Sequence, residues 1–182
     1  EGLLTAVATA RHPLSMEEYL KALTPNFEIS TDGTMIRERT ASAGNKYRLL
    51  HSWEFTAEEG NQLISGIFRE ELDSKVTVVT RNSIVRGFRG KLATSVLKLV
   101  AVLQDEEKAR RLGEKYGCQI IGYRGENRYS FICQGAGKRS AVEWLAQYVS
   151  VSLKDVIAFG DDTGDVQMLK ACGRGVAVEN GI

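Results

Sequence analysis

An excess of charge of either sign is missing from this sequence. Its 24 Lys and Arg residues stand against 23 Asp and Glu, a formal net charge of +1 at pH 7. A nucleic-acid binder normally carries a basic surplus that displaces counterions from phosphates, so nucleic acid is not an expected partner. Long apolar runs are missing as well. The longest is about the length of "VLKLVAVL" at 96–103, far short of the roughly 20 residues that cross a bilayer, and no membrane partner is expected. No charged-then-apolar leader precedes it. Cysteine is scarce: Cys118, Cys133 and Cys172 are odd in number, widely spaced and never arranged as CxxC. That pattern argues against a disulfide framework or a zinc site and for buried free thiols in a cytoplasmic protein. Internal repeats and low-complexity segments are lacking too. So is an initiator methionine: the sequence opens inside an expected strand, "EGLLTAVATAR", and stops just after another, "VAVENGI". Both ends are expected to be cuts.

What is present suffices for one good core, or for a core with a smaller attached module: 182 residues, 43% hydrophobic and 26% charged. "LLTAVATA" reads as a short buried strand. Ser15 and Glu18 form a capping box for the helix "SMEEYLKALTP", with Pro25 after its stop. "FEIS" is the next strand, "TDGT" a turn, and "TMIRERTASAGNKYRLL" a hairpin around Gly44 and Asn45. Thr56 and Glu59 open a second capping box, followed by Leu63, Ile64, Ile67 and Phe68 at helical spacing. Strands are expected at "KVTVVTR", "VLKLVAVL", "CQIIGYRG" and "RYSFICQ". "DEEKARRLGEKYG" is a helix with Glu106/Arg110 and Glu107/Arg111 pairs, closed by Gly117. After the helix "KRSAVEWLAQYV" the order becomes strand "VIAF", loop "GDDTGD", helix "VQMLKACG" and strand "GVAV". The economical architecture is an α/β chain: a parallel-sheet core, 1–54 and 135–182, interrupted by an α+β cap at 55–134.

Chemistry concentrates at strand ends, where open parallel sheets bind ligands. Asp161, Asp162 and Asp165 crowd the loop after "VIAF" and need a cation or a lysine among them. A hard cation such as Mg²⁺ takes a few carboxylate oxygens and keeps waters that a phosphate can replace. Asp161 is the best-placed ligand. Asp165, one turn on, is placed to orient a lysine or a metal-bound water. Gly160 and Gly164 allow close backbone approach. The plain alternative is an acidic helix N-terminus. A calcium EF-hand is excluded, because Val166 and Cys172 stand where Gly and Glu are required. "GAGKRS" fails as a P-loop, with Ile132 at the first glycine position and Arg139 after the lysine. That frees Lys138: a lone lysine is usually solvated surface, but beside a metal and a phosphate it would neutralise charge. Thr9, at the end of the first strand, can donate to a phosphate oxygen. Arg81, Arg86, Arg89 and Lys91 form a local basic stretch, read first as a solvated face and otherwise as a contact for an anionic substrate.

Taken in order, "VATAR", "FEISTDGTMI", "GKRSAVEWLA" and "VIAFGDDTGDVQMLKACGRGVAVENG" resemble the Cof-type branch of the haloacid dehalogenase-like phosphatases. The resemblance implies a Rossmann-like core with a large inserted cap, and Mg²⁺-dependent hydrolysis of a small phosphorylated metabolite through an aspartyl-phosphate. By it, Thr9, Ala10 and Lys138 would contact phosphate, and Arg11, Asp32 and Gly33 would lie near the substrate. Lys138 and Asp165 would belong to the catalytic apparatus, and Asp161 and Asp165 to the metal site. Two departures stand out: Gly164 replaces a usual Asn, and Asp32 replaces an Asn common in an NGA turn.

The family's first motif, DxDGT, supplies the nucleophile and an acid/base. "STDGT" offers Ser30 and Asp32 at those places, but it follows the Thr9 strand instead of preceding it. No other DxD pair occurs, so the first motif is expected upstream of Glu1 and this 182-residue chain is expected to be inactive. The alternatives are a non-catalytic phospho-ligand binding protein of the same fold and a phosphomutase relative.

Overall fold

The computed structural model describes residues 2–40, 46–179 and 181. The chain divides into two compact units, one formed by 1–52 with 136–182 and the other by 53–135. The fold is α/β, with parallel pairing in the first unit and an antiparallel sheet in the second.

The first unit opens with β1 (Ala6–Ala8), shorter than the apolar run suggests, since Leu3 and Leu4 precede it and are exposed. A 3-10 turn at Pro13–Ser15 follows, capped by the His12 side chain, which accepts from the Leu14 amide. Proline's preset φ starts this turn and draws Ser15 into it. The expected Ser15–Glu18 box is therefore not made: α1 (Glu17–Leu23) begins after Met16, which gives no side-chain cap, and ends at left-handed Thr24. β2 (Phe27–Ser30) is fully buried and runs parallel to β1. β3 (Met35–Arg39) and β4 (Tyr47–Ser52) continue the sheet antiparallel, with a register shift at Ile36/Arg37. The two strands of the expected hairpin are present; Gly44 and Asn45 lie outside the described residues. Inside this sheet the fully buried Glu28 carboxylate is paired with the Arg37 guanidinium, and its Oε1 has no partner.

In the second unit α2 (Ala57–Glu70) has both halves of the Thr56–Glu59 capping box. Its stripe of Leu63, Ile64 and Ile67 joins a core with Val76, Leu99, Leu112 and Phe131. The strands are β5 (Val76–Val79), β6 (Ile84–Arg86) and β7 (Lys98–Val102). Then come α3 (Glu106–Tyr116), β8 (Cys118–Gly122) and β9 (Arg128–Cys133), and the sheet order is β6-β5-β7-β9-β8. α3 is capped by Asp105 and closed by Gly117 in the left-handed region. Arg110 pairs with Glu107 and Glu114, on the turns either side, instead of Glu106. Arg111 lies 3.8 Å from Glu107. Register brings Cys118 opposite Cys133; burial pushes these thiols up to about 12 and about 11.

The chain returns to the first unit with α4 (Lys138–Tyr148), β10 (Ile157–Gly160), α5 (Val166–Ala171) and β11 (Arg174–Ala177). β10 and β11 pair in parallel as a two-stranded sheet. Strands of a parallel sheet are normally covered on both faces, yet Ile157 and Phe159 are 58% and 66% exposed. Among the described residues no helix is long and apolar enough to cross a membrane.

Candidate active site

The acidic loop is organised around Asp165, which is 3% exposed. Its Oδ1 accepts from Lys138 Nζ at 2.5 Å, and its Oδ2 accepts from the amides of Asp161 and Asp162 at 3.2 and 3.3 Å. A carboxylate buried this far needs such partners, and with a lysine and two backbone donors it has them. Lys138 reaches it because α4 starts at that residue and packs against α5 and the loop. Gly160 leaves the room: a Cβ there would lie 2.5 Å from the Asp165 Cβ. Gly164 faces open space.

Asp162 caps the Thr163–Asp165 turn, accepting from the Thr163 amide at 2.6 Å. The plain capping explanation thus holds for Asp162, which had no assigned role. Asp161 differs from both neighbours. It is exposed, and no hydrogen bond to its carboxylate is found among the described residues.

Thr9 follows β1 and is half-buried. Its Oγ1 accepts from the Arg11 amide at 3.1 Å, leaving the hydroxyl proton to donate elsewhere. The Thr9–Arg11 loop is bonded to the turn after β2: the Thr31 amide donates to Arg11 O at 2.9 Å and the Asp32 amide to Thr9 O at 3.2 Å. Gly33, in the same turn, presses on the Gly137–Lys138 peptide. Thr9, Ala10, Arg11, Asp32, Gly33, Lys138, Asp161 and Asp165 therefore form one linked cluster within the first unit. Arg11 is exposed, its guanidinium 5.7 Å from the Tyr19 ring centre. Ser30 is fully buried with its Oγ unpartnered, which removes it from any role as an accessible nucleophile.

The basic stretch lies in the second unit. Arg81 is paired with Glu54, and Arg89 sits over the Phe68 ring and donates to Leu72 O. These partners account for two of its four cations as fold-stabilising groups. Sequence reasoning missed the contact of Gly33 with Lys138, and Gly137 as the glycine that admits it. The only available signal was the glycine flanking each residue of interest.

A cation at this site would find the Asp161 carboxylate, to which no hydrogen bond is made among the described residues. Both oxygens of Asp165 are already engaged, and no group of three or more His, Cys, Asp or Glu among the described residues could hold a metal. One carboxylate with waters and a substrate phosphate fits the way Mg²⁺ is commonly bound.

Comparison with known proteins gives three kinds of match. Residues 54–182, more than half of the chain, match the family model of haloacid dehalogenase-like hydrolases. A Haemophilus influenzae protein provisionally named a phosphatase is 47% identical over 69 residues, 38% of this chain and 26% of that protein. An HMP-PP phosphatase of Cronobacter sakazakii is 26% identical over 205 aligned positions, 98% of this chain and 72% of the other. Among solved structures, a phosphatase of the haloalkanoate superfamily from Bacteroides thetaiotaomicron superposes with a TM-score of 0.82 at 17% identity. That match covers 100% of this chain and 72% of the other. The chain thus spans roughly a quarter of one curated relative and under three quarters of another.

Proposed function

Because this chain belongs to the haloacid dehalogenase-like hydrolases, we propose that it carries the phosphate- and metal-binding half of a phosphatase acting on small phosphorylated metabolites. The observation that supports this most directly is the buried Lys138–Asp165 pair, tied through Asp165 to the Asp161 backbone and through Gly33 to the Thr9 loop. Thr9 donates its hydroxyl proton to a non-bridging phosphate oxygen. Lys138, held by Asp165 with its side chain only 12% exposed, offsets negative charge on the phosphoryl group as it transfers. Asp161 would hold Mg²⁺, which when bound would polarise the phosphoryl oxygens and neutralise their charge. Asp165 acts as a positioning residue, since its oxygens are spent on Lys138 and the loop amides.

An aspartyl-phosphate needs a carboxylate nucleophile beside Thr9. We assign it to residues outside these 182, on a strand that would cover the apolar surface left open at Ile157 and Phe159. The second unit serves as the cap that selects the substrate. The test is p-nitrophenyl phosphate hydrolysis with Mg²⁺. The 182-residue chain is expected to show none, and a chain carrying the additional strand to show turnover that Asp161→Ala abolishes. Turnover by the 182-residue chain itself, abolished by Asp161→Ala, would contradict the assignment of the nucleophile. Inactivity of the longer chain on a wide panel of phosphate esters would contradict the phosphatase.

A further inference from the structure

Three consecutive residues between β2 and β3 lie in the left-handed region: Thr31 at φ 52°, Asp32 at φ 61° and Gly33 at φ 87°. For a β-branched residue such as Thr31 this is an outlier that the surroundings must hold in place. They do so in two ways. The Thr31 and Thr34 hydroxyls are 2.6 Å apart, and the Thr34 hydroxyl donates to Thr31 O at 2.8 Å. The two backbone bonds to Arg11 O and Thr9 O then pin the turn to the loop after β1. All four of Thr31, Asp32, Gly33 and Thr34 are buried.

On its other side the turn meets α4. A Cβ on Gly33 would fall well inside 3.0 Å of the Gly137 carbonyl and of the Lys138 nitrogen. No real Cβ occupies such a position, so the α-carbon of Gly33 is the spacer that sets where the Lys138 backbone begins. Gly137, itself at φ 128°, completes this backbone-on-backbone contact. The turn therefore touches the Thr9 loop through hydrogen bonds and the Lys138 peptide through packing.

We propose that the strained Thr31–Gly33 turn is a brace that fixes the spacing between Thr9 and Lys138, with Gly33 as its positioning residue. The importance given to that spacing rests on the phosphatase reading above; the mechanical coupling does not. Through Lys138 the brace also governs Asp165, and hence the amides of Asp161 and Asp162, far away in sequence.

The test uses backbone amide resonances of the whole chain, read by NMR without substrate or metal, so it stands even if the phosphatase assignment fails. Gly33→Ala is compared with Gly125→Ala, where a left-handed glycine (φ 69°) faces open space. The two variants share the backbone penalty, and only the first adds a clash. In Gly33→Ala the Arg11, Asp161 and Asp162 amides are expected to shift; in Gly125→Ala they stay in place. A folded Gly33→Ala chain with these amides unmoved overturns the brace. Where Gly33→Ala fails to fold, Thr34→Val replaces it: losing the hydroxyl that clamps the turn is expected to shift the same amides, and their constancy overturns the proposal equally.

Discussion

A buried carboxylate shows how the fold handles charge away from the candidate site. Glu28 is sealed in the sheet; burial pushes its carboxyl above the ordinary 4.5, and Arg37 opposes that rise without cancelling it. The folded state thus keeps a proton at pH values where the unfolded chain has released one. This contribution to stability is full below 4.5 and is lost as pH rises through the raised value. Glu28→Gln cannot titrate. As pH rises above 4.5 the urea midpoint of the unsubstituted chain is expected to fall relative to that of Glu28→Gln. A gap that stays constant with pH would refute this. At the same scale residue type and motif order single out Lys138, Asp161 and Asp165 as candidates, and the fold brings the three together. The sequence also allows Asp165 to orient a lysine; that Lys138 is this lysine, and that two loop amides take the other oxygen, depends on where α4 begins in space.

Elements were readable where a local rule acts alone and obscure where a neighbour intervenes. The Thr56–Glu59 box and the Gly117 stop are local and appear as expected. The Ser15–Glu18 box obeys the same spacing rule, yet the Pro13 turn pre-empts it. "TDGT" was legible as a turn, but left-handed Thr31 breaks the preference of a β-branched residue and is held by the nearby Thr34 hydroxyl and by the Arg11 carbonyl, distant in sequence. The Cys118–Cys133 alignment depends on strand register, which residue type does not specify. The two caps give a direct comparison. Thr56→Ala is expected to lower stability by about 1 kcal/mol, whereas Ser15→Ala, with no capping bond to lose, stays within about 0.5 kcal/mol. Urea denaturation of the two variants decides it; equal losses would contradict the assignment.

On the scale of the molecule, apolar cover is uneven. In the second unit α2 and the five-stranded sheet share one buried cluster, while β10 and β11 form a ladder of their own. Two paired strands are marginal in water without further cover. Amide protons of β10 and β11 are therefore expected to exchange before those of β5, β7 and β9, and comparable protection would refute this. The division into units also has a consequence for synthesis. Residues 1–52 emerge before the second unit, but α4, which lies against β2, β3 and the Thr31–Gly33 turn, follows only after 53–135. At bacterial-to-eukaryotic elongation rates of about 5–20 residues per second, that wait is roughly 4–17 s. For those seconds the β1–β4 sheet lacks its covering helix at the ribosome exit, so slow codons within 53–135 would lengthen its exposure to chaperones and proteases.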